Sequence, residues 1–482
     1  MNDPPGRRVH TPMNRSVFLA GALVLLGAAP LQGQGSDSLR LSIEDAVTRV
    51  LRVSDEARIA AAQVELTDAQ VTTARAAGLP QARFAGSYQQ VLENARGDIV
   101  GRSIFGQQYT YVANGVFSQT LFQGGRIFAG ARAAGDARAA AKLTRSEVEA
   151  QLSVDVQRAY LGVQLAKELL GIQRRNAELA SERLALVERL EKAGRASRFD
   201  VLRSRVERTN LEPALLQAQN ALELAEIELR RVLNIPPTQA IALTSTLDTA
   251  RLRQATQAVA ADSGSEPVRA SERAAQSTLR ARREGIKVAR ADLMPTITLN
   301  FQSGYLALPT VNGLPTVMGR RDVSFCPQTT PAATTPCQNN GWFGDRNFSL
   351  AVAWPLFDGL RTKGNIDLAQ AQAKVAQLQL DQEKERVGVE RARAWAEFRR
   401  SEAAYAAQRE NVNQAEEAWR IAALRFERGL STQLEVSDAQ LLLLTARTNA
   451  ARATTDFYLA SAELARARGL AIPLPPTHST SR

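Results

Sequence analysis

The stretch PLFDGLRTKGNIDLAQAQAKVAQLQLDQEKERVGVERARAWAEFRR, residues 355–400, decides the fold. It opens on a proline and an Asp-Gly turn, then enters a helical sequence in which no proline occurs before Arg428. From Arg361 to Arg428 that helix would hold 68 residues. At about 1.5 Å per residue it reaches roughly 100 Å, a length no compact domain encloses. Glycines such as Gly388 interrupt it, but one glycine costs only about 1 kcal/mol and rarely ends a helix. Immediately upstream, Phe348, Leu350, Val352 and Trp354 alternate with Asn347, Ser349, Ala351 and Ala353, the period-two pattern of a strand with one apolar and one polar face.

The same unit is written twice. VFSQTLFQGGR from Val116 resembles AVAWPLFDGLR from Ala351, and EKAGRASRFDVLRSR from Glu191 resembles FERGLSTQLEVSDAQ from Phe426, both at an offset of 235 residues. LPQARFAGSYQQ from Leu79 resembles MPTITLNFQSGY from Met294 at an offset of 215, which places a 20-residue insertion in the second strand-to-strand loop. Each copy predicts a helix ending at a proline (Pro80, Pro295), a strand pair, one long helix (Arg126 to Ala193, Arg361 to Arg428) and a shorter returning helix (Phe199 to Leu233, Leu434 to Arg468). The returning helices need partners stacked end to end, and Ile43 to Ala77 and Val268 to Asp292 can supply them. In the second copy Ile297, Leu299, Phe301 and Tyr305 face one way and Thr296, Thr298, Asn300 and Gln302 the other. In the first, Phe84 and Tyr88 alternate with Arg83, Ser87 and Gln89, and Tyr109, Tyr111, Phe117 and Leu121 mark the return strand.

Strands of about ten residues, apolar on one face and polar on the other, suit a membrane barrel with a wet lumen; taken alone they also suit a two-sided sheet. Four strands cannot close a barrel, which needs about eight, so a membrane-spanning reading requires an oligomer. The expected division is a signal peptide over 1–35, a first repeat over 36–237 with strands near 79–92 and 108–122, and a connector over 238–267. A second repeat follows over 268–473, with strands near 295–306 and 346–357 around a loop at 308–345, and then a tail over 474–482.

Composition narrows the function. Of 482 residues 44% are hydrophobic but only 5% aromatic, and the apolar content is mostly Ala, Leu and Val, which favours long helices packed through small side chains. The net charge of +11 comes from basic residues interleaved with acidic ones, as in Arg183, Glu188, Arg189, Glu191 and Lys192, a pattern of solvated helix faces rather than of nucleic-acid binding. Histidine occurs only at His10 and His478, leaving no imidazole in the body of the chain for acid–base or metal chemistry. No nucleophile-elbow, P-loop or dinucleotide fingerprint stands in a strand-to-helix context, so neither catalysis nor a cofactor is expected. Arg15 followed by the apolar run Val17 to Ala29 reads as a secretory signal, too short to span a bilayer. In an exported chain Cys326 and Cys337, flanking PQTTPAATTP, are expected to form a disulfide across a short loop.

With these motifs in hand, the chain resembles the TolC-like outer membrane efflux proteins, the outer membrane factors, over nearly all of its mature length. The likeness rests on TLFQGGR at Thr120 and PLFDGLR at Pro355, on the tips AGRAS at Ala193 and RGLST at Arg428, on FDVLRSR at Phe199 and on LEVSDAQLLLLTA at Leu434. The resemblance implies a mainly α protein with a membrane β-barrel: a homotrimer in which each subunit gives four strands to one 12-stranded barrel in outer-membrane lipid and its helices to a periplasmic α-barrel. It implies a duct that docks a periplasmic adaptor (a membrane fusion protein) and an inner-membrane RND or ABC transporter, and that opens when the helical tips dilate like an iris. Drug efflux, metal efflux and protein export all use such a component.

The resemblance places Glu435 and Asp438 at an acidic constriction, and Asp200 at the other tip is a third gate candidate. Thr432 followed by Glu435 is also a T-x-x-E capping box, which by itself accounts for both residues, and Ser197 with Asp200 repeats the pattern at the other tip. Asp438 has no capping role, although an acid in the first turns of a helix gains from the dipole. Gly194 and Gly429 suit the positive-φ ends of the long helices, and with Ser197 and Thr432 they coincide with the region where family adaptors dock. Family members often carry a basic or polar tether where this chain has Ser431 and Thr432, with Arg428 or Arg198 as substitutes. Two other readings fit parts of the sequence: a periplasmic coiled-coil adaptor or spacer, which the alternating strand pairs oppose, and an exported enzyme on a helical scaffold, which the missing histidines oppose.

Overall fold

A long helix can bury only a narrow stripe, so these helices must lie side by side along their length, and the computed structural model shows how. It describes residues 39–93, 109–245, 267–309, 312–316, 318 and 341–470. The signal segment 1–35, Cys326, Cys337, most of the connector and the tail lie outside the described residues.

The described residues begin with β1 (Leu39–Leu41), α1 (Ile43–Val53) and α2 (Asp55–Ala76). The expected helix from Ile43 to Ala77 is therefore two helices. Ser54 ends the first in an extended conformation and caps the second, its hydroxyl accepting from the Ala57 N–H at 3.1 Å. Strands β2 (Gln81–Gln90) and β3 (Tyr109–Gln123) follow, then α3 (Arg126–Lys192) and α4 (Arg198–Val232). After β4 (Ile241–Leu243) come α5 (Ala270–Arg290), a 3-10 turn at Ala291–Leu293, β5 (Thr296–Ala307), β6 (Trp342–Ala353), α6 (Arg361–Glu427) and α7 (Gln433–Arg468). Both α3 and α6 are 67 residues long. Strand β6 starts at Trp342 and stops at Ala353, earlier than the expected 346–357, because Pro355 lacks the N–H a ladder needs. Among the described residues no helix is long and apolar enough to cross a membrane.

Strands β2-β3-β5-β6 form one antiparallel sheet in that order. Its register gathers Phe84, Tyr88, Tyr111, Phe117, Phe301, Phe348, Leu350 and Val352 on one face. Arg83, Ser87, Asn114, Ser118, Gln302, Asn300, Asn347 and Ser349 share the other. Leu121 falls in a β-bulge between Thr120 and Phe122, so Phe122, not Leu121, pairs with Ile297. Among the described residues β2 and β6 are the edge strands, β6 making only an isolated bridge from Trp342 to Met318.

The helices repeat the order of the strands. Helices α2 and α4 lie along one side of α3, α5 and α7 lie between α3 and α6, and α6 forms the far side. Each strand thus stands at the end of its own helical column: α2 leads into β2, β3 into α3, α5 into β5 and β6 into α6. Midway down, α1 lays Ile43, Ala46 and Val50, spaced i, i+3, i+7, against Leu152, Val156 and Tyr160 of α3 and Leu229 and Leu233 near the end of α4. Burying each such aliphatic side chain is worth about 1.5–3 kcal/mol, and cutting fully buried Leu229 to alanine would cost about 2–5 kcal/mol. Beside this core the parallel pair β1–β4 is tied to α3 by Tyr160, whose hydroxyl donates to the Leu41 carbonyl at 3.0 Å and accepts from the Ser245 N–H at 3.1 Å. A second cluster joins α6 and α7 through Phe398, Tyr405, Phe457, Tyr458 and Leu464, with Leu161 of α3 reaching in; Tyr405 and Phe457 stack at 5.5 Å.

Candidate functional site: the paired helical tips

Farthest from the sheet, two short loops close the helical hairpins. Gly194 ends α3 at φ +69° and Gly429 ends α6 at φ +73°, backbone positions that an L side chain rarely adopts. An added Cβ would meet nothing within 4 Å at either glycine, so backbone geometry and not packing demands them. The Gly194 N–H donates to the Glu191 carbonyl at 2.9 Å and the Arg195 N–H to the Leu190 carbonyl at 2.8 Å. The Gly429 and Leu430 N–H groups repeat this on Phe426 and Arg425 at 2.9 and 2.8 Å, which consumes carbonyls a helix end leaves open.

The two tips differ in how the next helix starts. Ser197 and Asp200 make a complete capping box: the Ser197 hydroxyl accepts from the Asp200 N–H at 3.2 Å, and the Asp200 carboxylate accepts from the Ser197 N–H at 3.0 Å. Thr432 caps α7 by accepting from the Glu435 N–H at 3.4 Å, but the Glu435 carboxylate does not reach back. The expected T-x-x-E box is half formed. Glu435 and Asp438 are exposed, lie one turn apart on the same face of α7, and have no side-chain partner among the described residues. Asp200 is committed to its cap, whereas these two carboxylates are free to act on solvent and ions.

The opposite face of α7 carries a polar seam that the sequence reading did not single out. The Gln433 amide donates to the Ser204 hydroxyl of α4, and the Gln440 amide donates to Asn176 Oδ1 of α3 at 2.6 Å. Between them Ser437 accepts from Arg183 of α3 at 2.9 Å and donates to Glu207 of α4 at 3.2 Å; Glu207 also pairs with Arg203 at 3.0 Å. Burial pulls the Arg183 guanidinium below the usual arginine value and Glu207 opposes that shift. The amide oxygens of Gln433 and Gln440 are buried with no partner. A half-satisfied polar contact holds two surfaces in register at less gain than an apolar one of equal area. The one signal in the sequence is polar residues at i, i+4 and i+7 among the buried Val436, Ala439 and Leu443. Away from the seam, Phe199, Leu202 and Val206 of α4 and Leu430 and Leu434 at the second tip are exposed apolar side chains.

The family model described as "Outer membrane efflux protein" matches residues 49–234 and 269–470. No curated protein matches the chain at the sequence level. Among solved structures, the outer membrane protein VceC of Vibrio cholerae superposes with a TM-score of 0.70 at 19% identity, over 89% of this chain and 97% of that one. The CmeC outer membrane channel of Campylobacter jejuni gives 0.68 at 14% identity, over 89% and 85%. The open state of the MtrE outer membrane channel of Neisseria gonorrhoeae gives 0.65 at 19% identity, over 89% of each chain.

Proposed function

The chain belongs to the outer membrane efflux protein family, and from that premise we propose that three copies close head to tail into a single exit duct through the bacterial outer membrane. Its work is transport rather than catalysis. The observation that carries the trimer is the shared column order: sheet and helices open at the same two sides, β2 with α2 and α4 on one, β6 with α6 on the other. One operation that joins unlike edges serves both layers, and repeated around an axis it closes a ring. Four strands per copy then give twelve, enough for a barrel with a wet lumen, lined by Arg83, Gln302 and Asn347 and facing lipid with Phe84, Phe301 and Phe348. Exposed Ile59 and Leu66 on α2 and Leu368, Val375 and Leu378 on α6 supply apolar surface for the helical seams. The helical part extends into the periplasm, where the tips dock an adaptor fed by an inner-membrane RND or ABC transporter.

At those tips the duct is gated. Glu435 and Asp438 of three copies set six carboxylates around a narrow axis, a field that attracts cations and is focused by low-dielectric walls. The seam of Gln433, Ser437 and Gln440 holds α7 on the first hairpin while the duct is shut. In planar bilayers the double variant Glu435→Ala with Asp438→Ala is expected to lose cation preference several-fold and to be blocked less by multivalent cations. Unchanged selectivity would refute the carboxylate ring. Recovery of the protein as a soluble monomer instead of heat-resistant trimers in outer-membrane fractions would refute the duct.

A further inference from the structure

The most deeply buried charges in the described chain lie far from the tips, where α7 ends and α5 begins. Arg269, only 3% exposed, precedes α5 and donates to Glu147 of α3, with its Nε 3.1 and 3.2 Å from the two carboxylate oxygens. Its Nη1 donates to Glu390 of α6. Burial would lower its pKa, but the hydrogen bonds to Glu147 and Glu390 outweigh that and hold it above the ordinary arginine value. Arg466, near the end of α7, reaches Glu147 at 3.5 Å and Glu390 at 3.9 Å, and Arg386 reaches Glu390 at 3.3 Å. Arg158 of α3 binds Glu463 of α7 at 2.6 Å. The ends of α7 and α5 abut without covalent continuity: an added Cβ on Gly469 would lie 3.7 Å from Arg269 Cα.

Three of these contacts join two different bodies. Helix α3 is fixed by the apolar core it shares with α1 and α4, and α5 continues into the sheet. Helices α6 and α7 are bound to each other by the Phe398, Tyr405 and Phe457 cluster and by Arg468 stacked over Trp395 at 5.7 Å. Arg269–Glu390, Arg466–Glu147 and Arg158–Glu463 thus bridge the bodies, while Arg386–Glu390 braces α6 itself. The comparable junction of α2 and α4 is sealed differently, by aliphatic side chains and by Arg49 donating to the Leu233 carbonyl at 3.2 Å. In the α6–α7 pair, α6 still runs unbroken past the ionic cluster. Two residues before Glu390 it carries Gly388, where an added Cβ would meet nothing within 4 Å. Among the described residues of the subunit no packing constraint requires glycine there, and it weakens the helix by about 1 kcal/mol relative to alanine.

We propose that the Arg269 cluster and Gly388 form the pivot about which the α6–α7 hairpin swings when the duct opens, with Arg269 as its positioning residue. The inference rests on the gating reading above. From Arg466 to the start of α7 is a lever of about 50 Å, so a 10° bend at the pivot carries the tip about 9 Å. Ion pairs suit this place because they can exchange partners during a rotation, as an interdigitated aliphatic core cannot.

Bilayer conductance of purified trimers tests it with four proteins. A seam-released variant, Glu207→Gln with Ser437→Ala, is expected to raise open-state occupancy roughly tenfold, the effect of about 1.4 kcal/mol. Adding Gly388→Ala is expected to reverse most of that rise while leaving the thermal midpoint equal or higher, since alanine strengthens the helix. Glu390→Gln alone, which cuts the bridge but keeps Arg269 paired with Glu147, is expected to raise occupancy several-fold with the tips intact. Should seam release open the duct while Gly388→Ala and Glu390→Gln change nothing, the pivot is overturned and the gate stands. Should seam release itself do nothing, the gate falls and the pivot with it. Arg269→Lys, which preserves the charge, is expected to assemble and gate near normally; misassembly there would make the cluster a folding element only.

Discussion

At the residue scale the two tips divide cleanly into what local chemistry demands and what it does not. Ser197 and Asp200 are legible because a capping box is a relation between neighbours, three residues apart, and needs no tertiary knowledge. Thr432 and Glu435 carry the same pattern, yet only the threonine half forms, so Glu435 stays available. The partners of Ser437 could not be read, because Arg183 and Glu207 lie more than 200 residues away and only the fold brings them together. Gly194 and Gly429 give a sharp test. With positive φ and open space around each Cβ, Gly194→Ala or Gly429→Ala should cost about 1 kcal/mol through backbone strain alone. Hydrogen exchange confined to the tip amides would detect the loss, and a global loss of protection would contradict it. Leu360 is the reverse case: at φ +69° and largely exposed, it occupies a position like that of Gly125 at φ +80°, and Leu360→Gly should raise stability by up to about 1 kcal/mol in thermal melts.

At the scale of elements, the long helices were legible nearly to the residue. Each starts just after a turn glycine, Gly125 or Gly359, and stops at a glycine, and the isolated glycines between those marks do not end the helix. The break at Ser54 was missed because a serine inside an amphipathic run is ambiguous until the chain direction on either side is known. The bulge at Leu121 was missed because alternation along one strand does not reveal an extra residue relative to its partner. The seam on α7 belongs to this scale too. Gln433→Leu with Gln440→Leu would replace two half-satisfied amides by apolar contacts, and it should hold the tips together more firmly. The expected outcome is lower single-channel opening with unchanged trimer yield; higher opening would mean that the amides are not what limits closure.

At the scale of the whole molecule, surface ion pairs between turns of the long helices set an acid limit. Hydrogen bonds hold Glu284 (from Lys287 and Arg132), Glu397 (from Arg400) and Glu417 (from Arg420) below the usual carboxylate range. At Glu383 burial pushes upward, and Arg386 and Ser271 outweigh it. A folded pKa below the unfolded value of about 4.3 stabilises above that pH and is lost as the pH falls through the folded value. Melting followed by circular dichroism should therefore be flat from about pH 5.5 to 8 and should fall modestly below about pH 4, since exposed pairs are largely screened; a drop centred near pH 6.5 would contradict this assignment. The parallel order of strands and helical columns was not legible. Duplication suggests two units but does not fix which edges meet.

That order has a consequence for how the polypeptide could be divided. The columns of α2 with α4 and of α3 come from residues before 246, and those of α5 with α7 and of α6 from residues after 266; the halves meet through β3 on β5 and through α3 on α5 and α7. Each half owns a finished hairpin, a strand pair and a tip. Two polypeptides secreted separately, one ending at Ser245 and one starting at Pro267, should find each other and reconstitute export, as a split reporter does.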